Sequence, residues 1–298
     1  MPPYDRSSSG PRRDDGKSRD ADRRGPRDAP GRGQREGQGA RSSEGHGPAR
    51  KPEPDLPEHL TADLADRSVH RELRTLTKEN AEGVARHLLA ISEFLEAEDL
   101  DRALAHGETA VRRAGRVPIV REMLGVVYYR RGEWSKALSE FRTARRMSGS
   151  HHLLPMMADT ERGLGRPEKA IELARGPEVA TLKTEERIEL ALVVSGARRD
   201  LHQHGAAVEG LRGALAATKD SDTWAARVYY AYSDALSAQG DEQQAGVWLQ
   251  RAAKVDESGQ TDAADRLSGQ NNADNDVQDL GEYWDLEGDE GTGQAGQR

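Results

Sequence analysis

The chain has 298 residues, a net charge of −8, 35% hydrophobic residues and no cysteine, so disulfides and thiolate chemistry are excluded. No stretch approaches the roughly 20 apolar residues of a membrane helix, and the N-terminus has no apolar run of signal-peptide length, so a cytoplasmic protein without membrane contact is expected. Charge is segregated along the chain: 13 basic against 8 acidic side chains over 1–52, 29 against 32 over 53–255, and 2 against 12 over 256–298.

Residues 2–55 contain no Leu, Ile, Val, Phe, Met or Trp. Such a segment cannot bury enough surface to offset the entropy of ordering, so 1–55 is expected to be a disordered basic tail rich in Arg, Gly and Pro. Its Arg23-Arg24-Gly25 and Gly31-Arg32-Gly33 steps resemble arginine-glycine tracts that contact RNA phosphates. Plain linker is the favoured reading of this segment, with nucleic-acid contact through residues 1–52 as the alternative. Leu60, Leu64, Val69 and Leu73 predict a leading helix or cap over 56–83. Thr77 is placed to cap the helix that follows.

From residue 84 the pattern becomes periodic. Ala103, Ala137, Ala170, Ala207 and Ala245 recur at spacings of 34, 33, 37 and 38 residues, each inside an amphipathic helical pattern. The best unit reads Leu124-Gly125-Val126-Val127-Tyr128-Tyr129, then Gly132-Glu133-Trp134, then Ala137-Leu138, Phe141 and Ala144. Leu124 and Tyr128 share one helix face, and Ala137, Phe141 and Ala144 share one face of the next helix. Gly125 and Ala137 are small where two helices cross, and Gly132 stands where the first helix must stop in a left-handed conformation.

This order of residues resembles the tetratricopeptide repeat (TPR). The turn glycine recurs as Gly165 and Gly240, replaced by Glu98 and His202 in two units, and the small first-helix residue recurs as Ala158, Ser195 and Ser233, with Ile91 breaking the pattern. The resemblance implies an all-α, right-handed α-solenoid of about five helical hairpins with a leading helix, flanked by disordered termini. The hairpins are expected at 84–115, 118–148, 151–175, 188–218 and 226–256, within a repeat domain over 84–256. Pro177 and Thr184 bracket a longer connection, with Thr184 as N-cap before Glu185 and Glu186. The bias towards Arg, Ala and Gly fits a GC-rich bacterial coding sequence of the actinobacterial type.

In TPR arrays the first helices line a concave groove. Carried over by register, the resemblance nominates Leu88, Glu122, Val126, Tyr129, Arg130, His152, Asp159, Arg162, Arg199, Tyr230 and Asp234 as partner-binding residues. Arg130, Arg162 and Arg199 come from three consecutive hairpins, and two readings stand: a basic stripe that forks to carboxylates of an acidic ligand, or three solvated arginines at helix ends. The Lys-Asn pattern of chaperone-tail clamps is not present at these positions.

Residues 257–298 are expected to be a disordered acidic tail carrying one short hydrophobic motif, Leu280, Tyr283, Trp284 and Leu286, among seven acids over 276–290. Leu280, Tyr283 and Trp284 fall at helical spacing, so 276–290 is a candidate ligand for the groove of its own chain or of another; an unstructured tail is the competing reading.

Catalytic signatures are missing from the sequence. Gly16-Lys17-Ser18 has Pro11 where a phosphate-binding loop needs glycine, His151-His152 and His202-x-His204 lack metal-ligand partners, and Asp274-x-Asp276 lacks the glycine and glutamate of a calcium loop. No cofactor, metal or catalytic residue is assigned. The expected function is a non-catalytic scaffold or adaptor holding a peptide or helix in its groove. The alternative is an RNA- or ribosome-associated factor attached through the arginine-rich N-terminal tail.

Overall fold

The computed structural model describes residues 52–269. The chain divides into two units, Met1–Arg50 and Lys51–Arg298, and the described residues lie wholly in the second. The basic tail over 1–51, Gly16-Lys17-Ser18, Asp274-x-Asp276 and the motif Leu280, Tyr283, Trp284 and Leu286 lie outside the described residues.

Among the described residues the secondary structure is entirely helical. The leading segment is a 3-10 turn, Ala62–Leu64, followed by α1 (Arg67–Leu73). The two are separated because Ala65 and Asp66 are extended, with ψ of 144° and 153°. Thr77 caps α2 (Lys78–Glu96), its side chain accepting from the Asn80 backbone N–H at 3.4 Å. Residues 78–83, expected in the leading segment, are therefore the first turns of α2.

Five antiparallel hairpins follow: α2 with α3 (Leu100–Ala114), α4 (Pro118–Arg130) with α5 (Trp134–Ser148), α6 (Leu154–Gly163) with α7 (Pro167–Leu173), α8 (Thr184–Asp200) with α9 (His204–Ala216), and α10 (Ala225–Gln239) with α11 (Glu242–Val255). The anchor alanines Ala103, Ala137, Ala170 and Ala207 are fully buried and Ala245 is 5% exposed. Small size is needed here: a Cβ on Gly125 would stand 2.6 Å from Cε1 of Phe141 on the partner helix.

All five hairpins turn in the same way. Glu98, Gly132, Gly165, His202 and Gly240 have φ of 56°, 70°, 69°, 57° and 90°. The next backbone N–H in each case returns to a carbonyl five residues back: Asp99 to Phe94, Glu133 to Tyr128, Arg166 to Glu161, Gln203 to Arg198 and Asp241 to Leu236, at 2.8–3.0 Å. This bond satisfies a carbonyl that the ending helix leaves orphaned and closes a Schellman-type turn. Glycine adopts the left-handed conformation at least cost, so Glu98 and His202 are strained substitutes in an otherwise uniform device.

Each second helix packs against the first helix of the next hairpin, and α8 also packs against α6 and α10. The first helices thus stand side by side along one face of the array. Between hairpins three and four the connection is a 3-10 turn at Pro177–Thr181. Thr184 is not the cap expected there: Lys183 is the N-cap, and Glu186 accepts from the Lys183 backbone N–H at 2.8 Å. A further departure lies at the C-terminus, where residues 263–269, expected in the acidic tail, form a helix, α12. It buries Ala263 completely and packs Leu267 against the core of α10 and α11.

Candidate ligand-binding groove

The first-helix face follows from the register. Gly125, Ala158, Ser195 and Ser233 face the second helix of their own hairpins, so the positions two before and one after them turn towards the open side, and those three before and four after flank the crossing at its edge. Residues six before the small position join the open side about one and two-thirds turns earlier. Two adjoining clefts open on this face. One, of about 290 Å³, is lined by Tyr129, Pro155, Met156, Asp159, Arg162, Glu189, Leu192, Val193 and Arg227. The other, of about 360 Å³, is lined by Leu192, Arg227, Tyr230, Ala231, Gln260, Thr261 and Asp262. Leu192 and Arg227 belong to both, so the clefts form one groove running from α4 across α6 and α8 to α10.

The floor is apolar and its walls are charged. Arg227 on α10 makes a forked pair with Glu189 on α8, both N–H···O distances being 2.5 Å. Burial raises the Glu189 carboxyl above its ordinary pKa, against the opposing pull of Arg227. Arg162 donates to Asp159 at 2.9 Å, and to Asp200 from Nε at 2.9 Å and Nη2 at 3.3 Å. Burial disfavours the Arg162 charge, but the pairs with Asp200 and Asp159 outweigh it and raise its pKa. The Tyr129 hydroxyl donates to Asp159. Burial first, and then this hydrogen bond, push the Tyr129 pKa upward, so its phenol stays protonated. The Trp134 indole braces Tyr129 edge-on at 5.2 Å between ring centroids.

The residues nominated from sequence distribute unevenly over this surface. Tyr129, Asp159, Arg162 and Tyr230 line the clefts. Arg199 pairs with Asp234 at 3.1 Å, and Asp234 also accepts from Arg266 of α12 at 2.8 Å. Arg266 also donates to the Tyr230 hydroxyl at 2.9 Å, and these residues form the C-terminal wall. Glu122 and His152 meet each other at 3.0 Å, and this hydrogen bond raises the His152 pKa despite partial burial. His152 opens onto a separate depression with His151, Lys183 and Glu186. Val126 is half-buried between two core clusters.

Two nominations need correction. Leu88 is only 5% exposed, because it is packed in the hydrophobic core that α2 shares with its neighbours. Arg130 stands one position beyond the row of Tyr129, Arg162 and Arg199, and pairs with Glu98 in the preceding turn. Arg130 therefore falls outside the row that Arg162 and Arg199 share, and each of the three pairs with a carboxylate of a neighbouring first helix or turn.

Pro155, Met156, Glu189, Leu192, Val193, Arg227 and Ala231 were not nominated, although they occupy the same register rows. Gln260, Thr261 and Asp262 carried no repeat signal. Among the described residues no helix is long and apolar enough to cross a membrane, and no three side chains converge as metal ligands.

No protein-family model matches the chain, and no curated protein matches it. Among solved structures it is similar to YrrB, described as a TPR protein with an unusual peptide-binding site, at 17% identity and a TM-score of 0.41 over 66% of this chain and 97% of that one. It is also similar to MamA, at 12% identity and a TM-score of 0.44 over 60% of this chain and 94% of that one. A MamA RS-1 ArsTM double mutant gives 11% identity and a TM-score of 0.45 over 60% of this chain and 97% of that one.

Proposed function

We propose that this chain is a non-catalytic interaction scaffold of the cytoplasm that holds a peptide or a short helix against its first-helix face. The observation that carries this reading is the pair of adjoining clefts that share Leu192 and Arg227. An apolar floor bounded by fixed polar groups is the usual composition of a recognition site: the floor supplies affinity and the walls supply orientation. Tyr129, Arg162, Arg227 and Tyr230 are held by Asp159, Asp200, Glu189 and Arg266, so little side-chain entropy remains to be lost on binding.

The same pairing limits charge recognition. A ligand carboxylate meets arginines that already hold carboxylates, so an acidic ligand gains only from their remaining N–H donors, and apolar side chains must supply most of the affinity.

The test is selection of displayed 15-residue peptides on the full chain and on its L280S/Y283S/L286S variant, followed by titration against L192E and A231E variants whose folding is checked by circular dichroism. Saturable binding tighter than about 100 μM, lost in both variants, supports the groove. Failure to enrich any peptide, or binding unaffected by either variant, overturns it.

A further inference from the structure

We propose that the groove is occupied in the resting protein by the chain's own residues 279–287, which an external partner must displace. This rests on the groove being a binding site, and adds to it the identity of one occupant.

The path of the chain is the first argument. Gln260, Thr261 and Asp262 line the second cleft, and α12 (263–269) is fastened to α10 by Arg266 through Tyr230 and Asp234. The chain therefore leaves the described structure beside the groove. From residue 269 to Leu280 there are 11 residues, a reach of roughly 36 Å. Adjacent packed helices lie about 8–10 Å apart, so α8 and α6 are roughly 20–30 Å from α12. A tether of this length presents its end at an effective concentration on the order of millimolar, so an intrinsic Kd of about 100 μM keeps the site about nine-tenths filled.

The second argument is a period of three. The sequence Asp279-Leu280-Gly281-Glu282-Tyr283-Trp284-Asp285-Leu286-Glu287 divides into an apolar edge (Leu280, Tyr283, Leu286), an acidic edge (Asp279, Glu282, Asp285) and a mixed third edge. A polyproline-type strand has three residues per turn and advances about 9 Å per turn. That advance matches the spacing of successive first helices, so each turn presents one apolar side chain to each inter-helix cleft. Helical spacing, by contrast, would leave Leu286 off the docking face.

The charges agree with this orientation. Arg162 and Arg199 occupy the same row of successive first helices, four residues after Ala158 and Ser195. Of the five N–H donors of a guanidinium, Arg162 gives three to Asp159 and Asp200. The acidic edge can then accept from the donors left outside those pairs while the apolar edge faces Met156, Leu192 and Ala231.

A fluorescent synthetic peptide of residues 276–290 is titrated by anisotropy against three full-length proteins: the unmodified chain, L280S/Y283S/L286S, and that triple variant carrying A231E as well. Binding should saturate with a Kd of about 100 μM or tighter on the triple variant, be roughly tenfold weaker on the unmodified chain because the tethered copy competes at about millimolar effective concentration, and vanish when A231E is added. In the same assay L286S alone should raise peptide binding to the unmodified chain by more than W284S does.

Absence of saturable binding to the triple variant, equal binding to all three proteins, or an effect of W284S larger than that of L286S overturns the proposal. Peptides selected from the library separate the two failures. If they bind the triple variant and 276–290 does not, only the tail assignment falls. If neither binds, the groove reading falls with it.

Discussion

Arg162 on α6 and Asp200 at the end of α8, 38 residues apart, are joined by Nε and Nη2 bonds of 2.9 and 3.3 Å between the third and fourth hairpins. The guanidinium reaches Asp200 by lying flat over Gly196, where an added Cβ would stand 2.6 Å from the Arg162 Cζ. Glycine inside a helix normally costs about 1 kcal/mol relative to alanine, so this position sacrifices helix stability for the link.

The expected consequence is a coupling visible in urea denaturation. Gly210→Ala and Gly213→Ala on α9, with nothing within 4 Å of the new methyl, should each stabilise by about 0.5–1 kcal/mol. Gly196→Ala should give no gain in the unmodified chain and recover about 1 kcal/mol in an R162A background. Equal gains in both backgrounds would show that Arg162 is not held against α8.

The two turns without glycine are the next test. His202 has φ of 57° in the conformation that Gly132, Gly165 and Gly240 adopt. Left-handed backbone costs a non-glycine residue roughly 1–2 kcal/mol, partly offset because glycine is more flexible when unfolded. H202G should therefore raise stability by about 1 kcal/mol, and Gly165→Ala, with open space around it, should lower it by a similar amount. E98G should gain less than H202G, because Glu98 also accepts from Arg130. Opposite signs for H202G and Gly165→Ala in thermal or urea melts are the diagnostic outcome.

Legibility differed between the fold and the groove for a physical reason. A hairpin is specified within about 34 residues, so Ala137, Gly132 and Phe141 state its crossing, its turn and its core locally. The same holds for Ser195 and Ser233, whose buried hydroxyls donate to the carbonyls of Ala207 and Ala245 at 3.2 and 2.7 Å, joining the small position of one helix to the anchor of the next. The groove depends instead on contacts between hairpins. Spacings from 33 to 38 residues do not show whether Arg162 meets water, a ligand or Asp200. Arg130 illustrates the sensitivity, since one residue of register separates the groove from the turn above it. α12 is not legible in the sequence because seven residues with Ala263 and Leu267 form too short a periodic pattern to stand out from an acidic segment.

The packing register of the best hairpin is checked by a bulky residue. Ala137 is fully buried opposite α4, whereas neighbouring Lys136 is exposed, pairing with Glu133 and lying 5.1 Å from the Tyr128 ring centroid. Ala137→Leu should overpack the crossing and cost about 1–3 kcal/mol. Lys136→Leu removes only a surface pair, worth roughly 0–1 kcal/mol. Similar denaturation midpoints for the two variants would contradict the crossing at Ala137.

A buried histidine pair sets the expected pH response. His87 on α2 and His106 on α3 are 0% and 1% exposed, with their Nδ1 atoms 2.9 Å apart. One ring must donate and the other accept, so the two rings cannot both carry a proton on Nδ1 in this arrangement. Burial first, and repulsion from His106 next, push the His87 pKa down from 6.5 to about 4, while burial also lowers that of His106. The nearby Arg113, Arg112 and Arg102 oppose a charge on the pair, and only Glu53, 3.9 Å from His87 Nε2, favours one. Above pH 6.5 both states of the protein hold neutral rings and the pair has no effect on pH dependence. As pH falls from 6.5 towards 4 the unfolded chain takes up protons that the folded chain refuses, so stability declines. The full decline from His87 alone is about 3 kcal/mol. His152 acts in the opposite sense, because its raised pKa adds stability on the acid side, but it is partly exposed and its effect is screened. Urea melts between pH 7.5 and 4.5 should therefore show falling stability for the unmodified chain and a flatter profile for H87F/H106L. An unchanged slope in that variant would mean that the pair is not what resists protonation.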